Sequence, residues 1–219
     1  MTEPFTLIFD VDGTLADTER DGHRVAFNQA FAEAGLDWEW PVSLYGELLA
    51  IAGGKERINF YISQYKPKFS VSLPLPEYIS NLHKSKTYYY RKLLGSGAIP
   101  LRPGVERLLK EARTNKMRLA IATTTTLANV EALLEHTLGK ESISWFEIIA
   151  AGDIVPAKKP APDIYYYVLE KMNIQPQNCI VFEDSYNGLQ AALPTGLKTI
   201  VTVNDYTRNQ DFTGATLVL

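Results

Sequence analysis

A chain of 219 residues, 46% hydrophobic and 21% charged, has the composition of a globular protein with one sizeable core and room for a companion module, which excludes a disordered or fibrous polypeptide. With 22 Lys and Arg against 25 Asp and Glu, the formal charge of -3 offers no general attraction for nucleic acid or an anionic membrane. Any positive charge that serves function must be local.

The N-terminus enters a strand pattern directly, without the basic, apolar and small-residue succession of a secretion signal. No segment approaches the roughly 18 apolar residues needed to cross a bilayer. A cytoplasmic setting is expected, or the chloroplast stroma if a transit peptide has been removed. Phe5 to Phe9 reads as a buried strand running into Asp10-Val11-Asp12-Gly13-Thr14. The two-residue period of a strand aims Asp10 and Asp12 to one side as the chain leaves the sheet. Gly13 permits a tight turn, and Thr14 is placed to hydrogen-bond back across it. An isolated Asp-x-Asp-Gly fits a solvated turn as well as a site. Here a strand precedes it, and the carboxyl edge of a parallel sheet is where ligands bind.

From Asp17 to Gly97 almost nothing alternates like a strand, and an all-helical module is expected over residues 17–97, inserted into a core made of 1–16 and 98–219. Asp17 or Thr18 caps a helix in which Val25, Ala26, Ala30, Phe31 and Ala34 fall near helical spacing, ending at Gly35. Glu19 and His23 lie at i and i+4 and share a face of that helix. Further helices fit Arg57 to Tyr65 and Pro76 to Leu94. Gly53 and Gly54 allow backbone amides to approach an anion, with Lys55 and Arg57 following, and His83 and Lys86 add cationic candidates. The upstream Gly and downstream Ser or Thr of a nucleotide P-loop are missing, which rules that reading out.

Beyond Gly97, strand and helix patterns alternate: a helix over Pro103 to Thr114, a strand over Arg118 to Ala122, a helix over Leu127 to Thr137, a strand over Phe146 to Ala150. A helix over Pro162 to Met172, a strand over Cys179 to Phe182, a helix over Ser185 to Leu193 and a strand over Lys198 to Val203 complete the pattern, with Thr216 to Leu219 strand-like at the end. Alternation of this kind builds an α/β fold with a doubly wound parallel sheet. The single cysteine, Cys179, falls in an apolar run and is expected to be a buried thiol. Each further chemical signal lies at or just beyond a strand end. Thr123 offers a hydroxyl for a phosphoryl oxygen, Lys159 a cation ahead of a Pro-led helix, and Glu183-Asp184 two more carboxylates with Ser185 and Gly188 opening the next helix. Four clustered carboxylates repel one another unless a cation sits among them, and Mg2+ is the expected occupant.

In order, type and spacing, Asp10/Asp12, Thr123, Lys159 and Glu183/Asp184 resemble the four motifs of the haloacid dehalogenase superfamily, across nearly the whole chain. The resemblance implies a Rossmann-like core with an α-helical cap of the kind found in relatives such as phosphoglycolate phosphatase and β-phosphoglucomutase. Asp17 to Arg24, Gly53 to Ile58, Ala122 to Thr125, and Tyr206 to Arg208 with Asp211, Phe212 and Gly214 resemble the CbbY-like sugar phosphatases of photosynthetic organisms. That group's implied substrate is xylulose-1,5-bisphosphate, a tight-binding misfire product of the carbon-fixing enzyme Rubisco, which would place the chain beside the Calvin cycle.

The same resemblance makes Asp10 the nucleophile and Asp12 the general acid and base, with Thr123 and Lys159 stabilising the transferred group. It makes Asp10, the Asp12 backbone carbonyl and Asp184 ligands of Mg2+, with Glu183 either a further direct ligand or a group that acts through one. Glu19, His23, Gly53, Gly54, Lys55, Arg57, His83, Lys86 and Thr124 are the expected substrate contacts. A phosphorylated sugar is the expected partner, with no nucleic acid, no membrane and a monomeric state. A phosphosugar mutase shares all core motifs and stays open as an alternative. A dehalogenase has no use for the acids at Asp12, Glu183 and Asp184, and a non-catalytic binding protein would be expected to lack one of these groups.

Overall fold

The computed structural model describes residues 5–51 and 53–219. The chain divides into two compact units, one formed by the chain up to Thr18 together with Ile99–Leu219, the other by Glu19–Ala98.

The first unit is built on a six-stranded sheet whose strands are β1 (Thr6–Phe9), β2 (Arg118–Thr123), β3 (Ile148–Ala151), β4 (Cys179–Glu183), β5 (Lys198–Val201) and β6 (Leu217–Val218). Their order is β3-β2-β1-β4-β5-β6, and every pair is parallel. The sequence winds outward from β1 through β2 to β3, then returns to the other side of β1 at β4. That reversal makes the carboxyl ends of β1 and β4 the topological switch point, where neighbouring connections diverge and leave a crevice. All four residues of β1 are buried, as expected of a central strand covered on both faces. Ile8, Ala120, Ala122 and Val181 pack on one face with Tyr165 and Val168 of α7 (Asp163–Met172) and Ala191 of α8 (Tyr186–Ala192). Phe9 and Phe182 stack on neighbouring strands with ring centroids 4.8 Å apart. Cys179 is a buried free thiol, as its apolar run predicts. The expected doubly wound fold is the one found.

Helices α5 (Val105–Thr114) and α6 (Leu127–Leu138) complete the layers of this unit. The first begins two residues later than its Pro-led pattern suggests, because Gly104, at φ 90, takes the cap position. The loop after β1 is closed by backbone bonds from the Gly13 N–H to the Ala16 carbonyl and from the Leu15 N–H to the Val11 carbonyl, at 2.8 and 2.9 Å. The Thr14 hydroxyl, expected to brace this loop, is buried and makes no hydrogen bond.

The second unit is helical: a π-turn at Glu19–His23, then α1 (Arg24–Glu33), α2 (Val42–Leu48), α3 (Gly54–Tyr65) and α4 (Leu75–Gly95). Its core joins aromatic side chains, Phe27, Phe31, Trp38, Trp40, Tyr45 and Tyr61, with aliphatic ones such as Leu48, Ile58, Ile79 and Leu82, all buried. Large flat side chains help to close a small helical core. The π-turn departs from the uninterrupted helix expected from Asp17 or Thr18. Helix α2 was also not foreseen, since its seven residues are too few to display a helical period.

Candidate active site

Asp10 follows β1 directly and is anchored by its own N–H, which donates to the Phe182 carbonyl at 3.0 Å. Thr123 is the last residue of β2, and Glu183 the last of β4, with Asp184 next to it. Because β1 lies between β2 and β4, these strand ends bring Asp10, Thr123, Glu183 and Asp184 together, all buried. Lys159 arrives from the loop after β3. Its Nζ donates to Asp10 Oδ1 at 2.7 Å, to the Ala122 carbonyl at 2.8 Å and to Glu183 Oε1 at 2.6 Å. An ammonium has three N–H donors, and all three are engaged.

Carboxylate oxygens of Asp10, Glu183 and Asp184 lie within 4.8 Å of one another. Three buried acids facing one buried ammonium leave an excess of negative charge. Burial, despite the opposing Lys159 charge, pushes Glu183 up to about 7. Burial, then the Asp10 and Glu183 charges, raise Asp184 well above the usual carboxylate range. For Lys159, burial alone would lower the ammonium, but the Asp10 and Glu183 carboxylates outweigh it and hold it above its ordinary value. A compact oxygen-only set that is short of positive charge suits a hard divalent cation such as Mg2+. The Asp12 carboxylate is not one of the three converging groups. It accepts from the Thr18 hydroxyl at 2.5 Å, so its side chain is oriented separately from theirs.

Four supporting residues were not read from the sequence. The buried Tyr165 hydroxyl donates to Glu183 Oε1. Asn204 Nδ2 donates to Asp184 Oδ2 at 2.7 Å. Arg102 donates to the Gly13 carbonyl, to the Thr202 carbonyl at 2.8 Å and to the Val203 carbonyl at 2.6 Å, tying the loop after β1 to the segment after β5. Thr18 orients Asp12. Asn204 could have been found by the strand-end rule that found the others, since it lies three residues past β5. Tyr165 and Arg102 carry no local signal.

Two glycines make room for the acids. Gly13 has φ 84, and a Cβ there would come within 2.2 Å of Asp184 Oδ2. Gly188 sits in the first turn of α8, where its N–H donates to the Ser185 cap at 3.2 Å, and a Cβ would lie 1.9 Å from Glu183 Oε2. Glu183 has no easy escape because Oε1 is held by Tyr165 and Lys159. Gly188→Ala is therefore expected to displace Glu183, lowering stability by about 1–3 kcal/mol and activity at least about tenfold. Paired melting and rate measurements check this, and an unchanged rate would show that the Glu183 position is not critical.

The other sequence candidates fall as follows. Thr124 is exposed beside Thr123, whose hydroxyl accepts from the Thr125 N–H at 3.3 Å. In the helical unit, Glu19 Oε2 accepts from the Tyr45 hydroxyl at 2.5 Å. The His23 ring is buried, stacks on Tyr90 with centroids 3.8 Å apart, and has Nδ1 2.7 Å from Lys86 Nζ. Burial and the Lys86 charge hold this imidazole well below its ordinary pKa, so Nδ1 accepts from the ammonium. Lys86 is itself buried over the rings of Phe27 and Tyr90. Gly53 and Lys55 are exposed at the start of α3. Gly54 lies against His83, whose pKa is lowered by burial and then by Lys86 and Lys55. Arg57 is buried with three donors engaged within the unit.

Residues 6–196 match the family model described as haloacid dehalogenase-like hydrolase. The protein CbbY of Cupriavidus necator is 47% identical over 213 residues, covering 97% of this chain and 84% of that protein. A crystal structure of CbbY from Rhodobacter sphaeroides in complex with phosphate is 44% identical, superimposes with a TM-score of 0.83, and covers 99% of this chain and 93% of its own. A mutant of the same CbbY in complex with xylulose-(1,5)bisphosphate superimposes with a TM-score of 0.85 at the same identity and coverage. An aspartate at the switch point, braced by a lysine and faced by two further acids, thus belongs to a sheet and a sequence shared almost end to end with these proteins, and the chain is a member of the haloacid dehalogenase-like hydrolase family.

Proposed function

We propose that the chain is a Mg2+-dependent phosphatase acting on a small sugar bisphosphate, xylulose-1,5-bisphosphate above others, through a phosphorylated Asp10. The observation that carries this reading is the convergence of Asp10, Glu183 and Asp184 on one another, with Lys159 bonded to two of them. The choice of substrate is supported by the similarity to a CbbY that binds this bisphosphate.

A carboxylate oxygen of Asp10 attacks phosphorus as the bond from phosphorus to the sugar oxygen breaks, and Asp12 gives its proton to that oxygen. Water then attacks the phosphoaspartate, Asp12 takes the water's proton, and the Asp10–phosphorus bond breaks to release phosphate. Thr18 keeps Asp12 oriented through both steps. Lys159 and Thr123 offset the charge on the phosphoryl oxygens, a task of positioning and electrostatics. Mg2+ would be held by Asp10, Glu183, Asp184 and the Asp12 backbone carbonyl, and would supply positive charge to the phosphoryl group. In the helical unit Glu19 binds a sugar hydroxyl, with His23 beside it. The exposed Lys55, with His83, Lys86 and the amides of Gly53 and Gly54, serves the phosphate that is not transferred. Arg57 supports these contacts from within the unit, and Thr124 assists Thr123 at the phosphoryl group.

The test is phosphate release from a panel of sugar mono- and bisphosphates, including xylulose-1,5-bisphosphate, ribulose-1,5-bisphosphate and β-glucose-1-phosphate, with Mg2+ and with chelator. Release from the xylulose bisphosphate should exceed that from the monophosphates at least about tenfold, the worth of one charge-assisted contact, and should vanish with chelator. Isomerisation without net release would make the enzyme a phosphosugar mutase, and release unaffected by chelator would remove Mg2+ from the reading.

A further inference from the structure

Within the helical unit, a chain of hydrogen bonds runs from backbone to Glu19. Arg57 Nε donates to the Leu48 carbonyl at 3.0 Å and its NH2 group to the Ile51 carbonyl at 3.2 Å, so the guanidinium is fixed by the end of α2 and the turn after it. Its NH1 group donates to the Tyr45 hydroxyl at 3.0 Å. Arg57 can only donate, so the Tyr45 oxygen accepts, and its one proton goes to Glu19 Oε2 at 2.5 Å. Tyr45 is 0% exposed and Arg57 8%, whereas Glu19 is only partly buried. Of the three, Glu19 alone stands at the surface, with one oxygen held from behind.

The place of Glu19 in the chain adds to this. It opens the π-turn, a wide turn found in short pieces and often at functional sites. A charged donor acting through a buried phenol on a carboxylate is a strong and directional grip.

We infer that Tyr45 is a positioning residue for substrate recognition by Glu19, with Arg57 holding Tyr45 in register. The inference rests on the proposal that Glu19 binds a sugar hydroxyl. The relay turns one carboxylate oxygen of Glu19 inward and leaves the other to accept from the sugar. The ordering cost of a flexible glutamate is met in folding and not at binding. Arg57 acts here through Tyr45 and does not itself touch the second phosphate.

The experiment compares wild type, Tyr45→Phe, Glu19→Gln and the double variant on the best sugar phosphate and on an aryl phosphate that has no hydroxyl for Glu19. Tyr45→Phe keeps the ring and its packing, and melting curves confirm that the fold is intact. Both single variants should raise KM for the sugar phosphate by about five- to tenfold, the worth of one hydrogen bond. For Tyr45→Phe, kcat on the sugar phosphate and kcat/KM for the aryl phosphate should stay within about twofold. The double variant should be no worse than Glu19→Gln alone, because the two residues act as one unit. Equal losses on both substrates, or losses that multiply in the double variant, overturn the inference. A wild-type enzyme that turns over the aryl phosphate and no sugar phosphate overturns the functional proposal and this inference with it. A sugar preference that survives intact in Tyr45→Phe overturns this inference alone.

Discussion

Asp10→Asn is expected to abolish phosphate release, with a loss of about ten-thousand-fold or more, while leaving the protein folded. Asn matches Asp in shape, so the backbone anchor from residue 10 to the Phe182 carbonyl and the contact with Lys159 can both persist through the amide oxygen. What disappears is the anionic oxygen that forms the bond to phosphorus. The substitution also removes one of three buried carboxylates that face a single ammonium. Relief of that repulsion offsets the weaker Lys159 contact, so Tm should change by no more than a few degrees. Mg2+ should raise the Tm of the wild type by mass action, and should do so less in the variant, which has lost a charged ligand. Steady-state phosphate release and melting with and without Mg2+ check both halves. A variant that keeps even a hundredth of the wild-type rate would mean that Asp10 is not the nucleophile.

Lys159→Ala carries the second large effect, and here stability should fall along with activity. The side chain is 7% exposed, and its ammonium is the cation bonded to both Asp10 and Glu183. Without it the three acids are left uncompensated in a buried site, and the Ala122 carbonyl loses its donor. Breaking a buried ion pair by deleting one partner costs about 3–5 kcal/mol, or roughly 10 °C in Tm for a chain of this size. Added Mg2+ should restore part of the lost Tm, because it supplies positive charge to the same oxygens, yet it should not restore the rate. The expected loss in kcat is about a thousandfold, the scale of removing one preorganised electrostatic group from a transition state. A variant as stable as wild type in chelator would show that the cluster does not depend on Lys159 for its charge balance.

Much of the candidate site was legible because of where its residues lie relative to strands. Asp10, Thr123, Glu183 and Asp184 each sit at or next to the last residue of a strand, and an apolar run that stops at a polar residue is a local signal. A parallel sheet then brings those ends to one edge without further information. Lys159 was legible by its place ahead of a Pro-led helix. The helical unit was less so. The sequence places Glu19 and His23 on one face of an ordinary helix, whereas the chain forms a π-turn there, and it offers Arg57 as an anion contact without any sign that the side chain is buried.

The sequence by itself determined the parallel α/β architecture, the separate helical stretch and the acidic residues at the strand ends, because periodicity and strand termination are properties of neighbouring residues. Only the tertiary structure decided what holds those residues in place. Arg102 reaches across 100 residues to Thr202, Tyr165 across 18 to Glu183, and Tyr45 across 26 to Glu19. Contacts of that separation leave no period in the sequence. A buried arginine or tyrosine reads there as one more charge or one more core ring until the fold shows which carboxylate or carbonyl receives its proton.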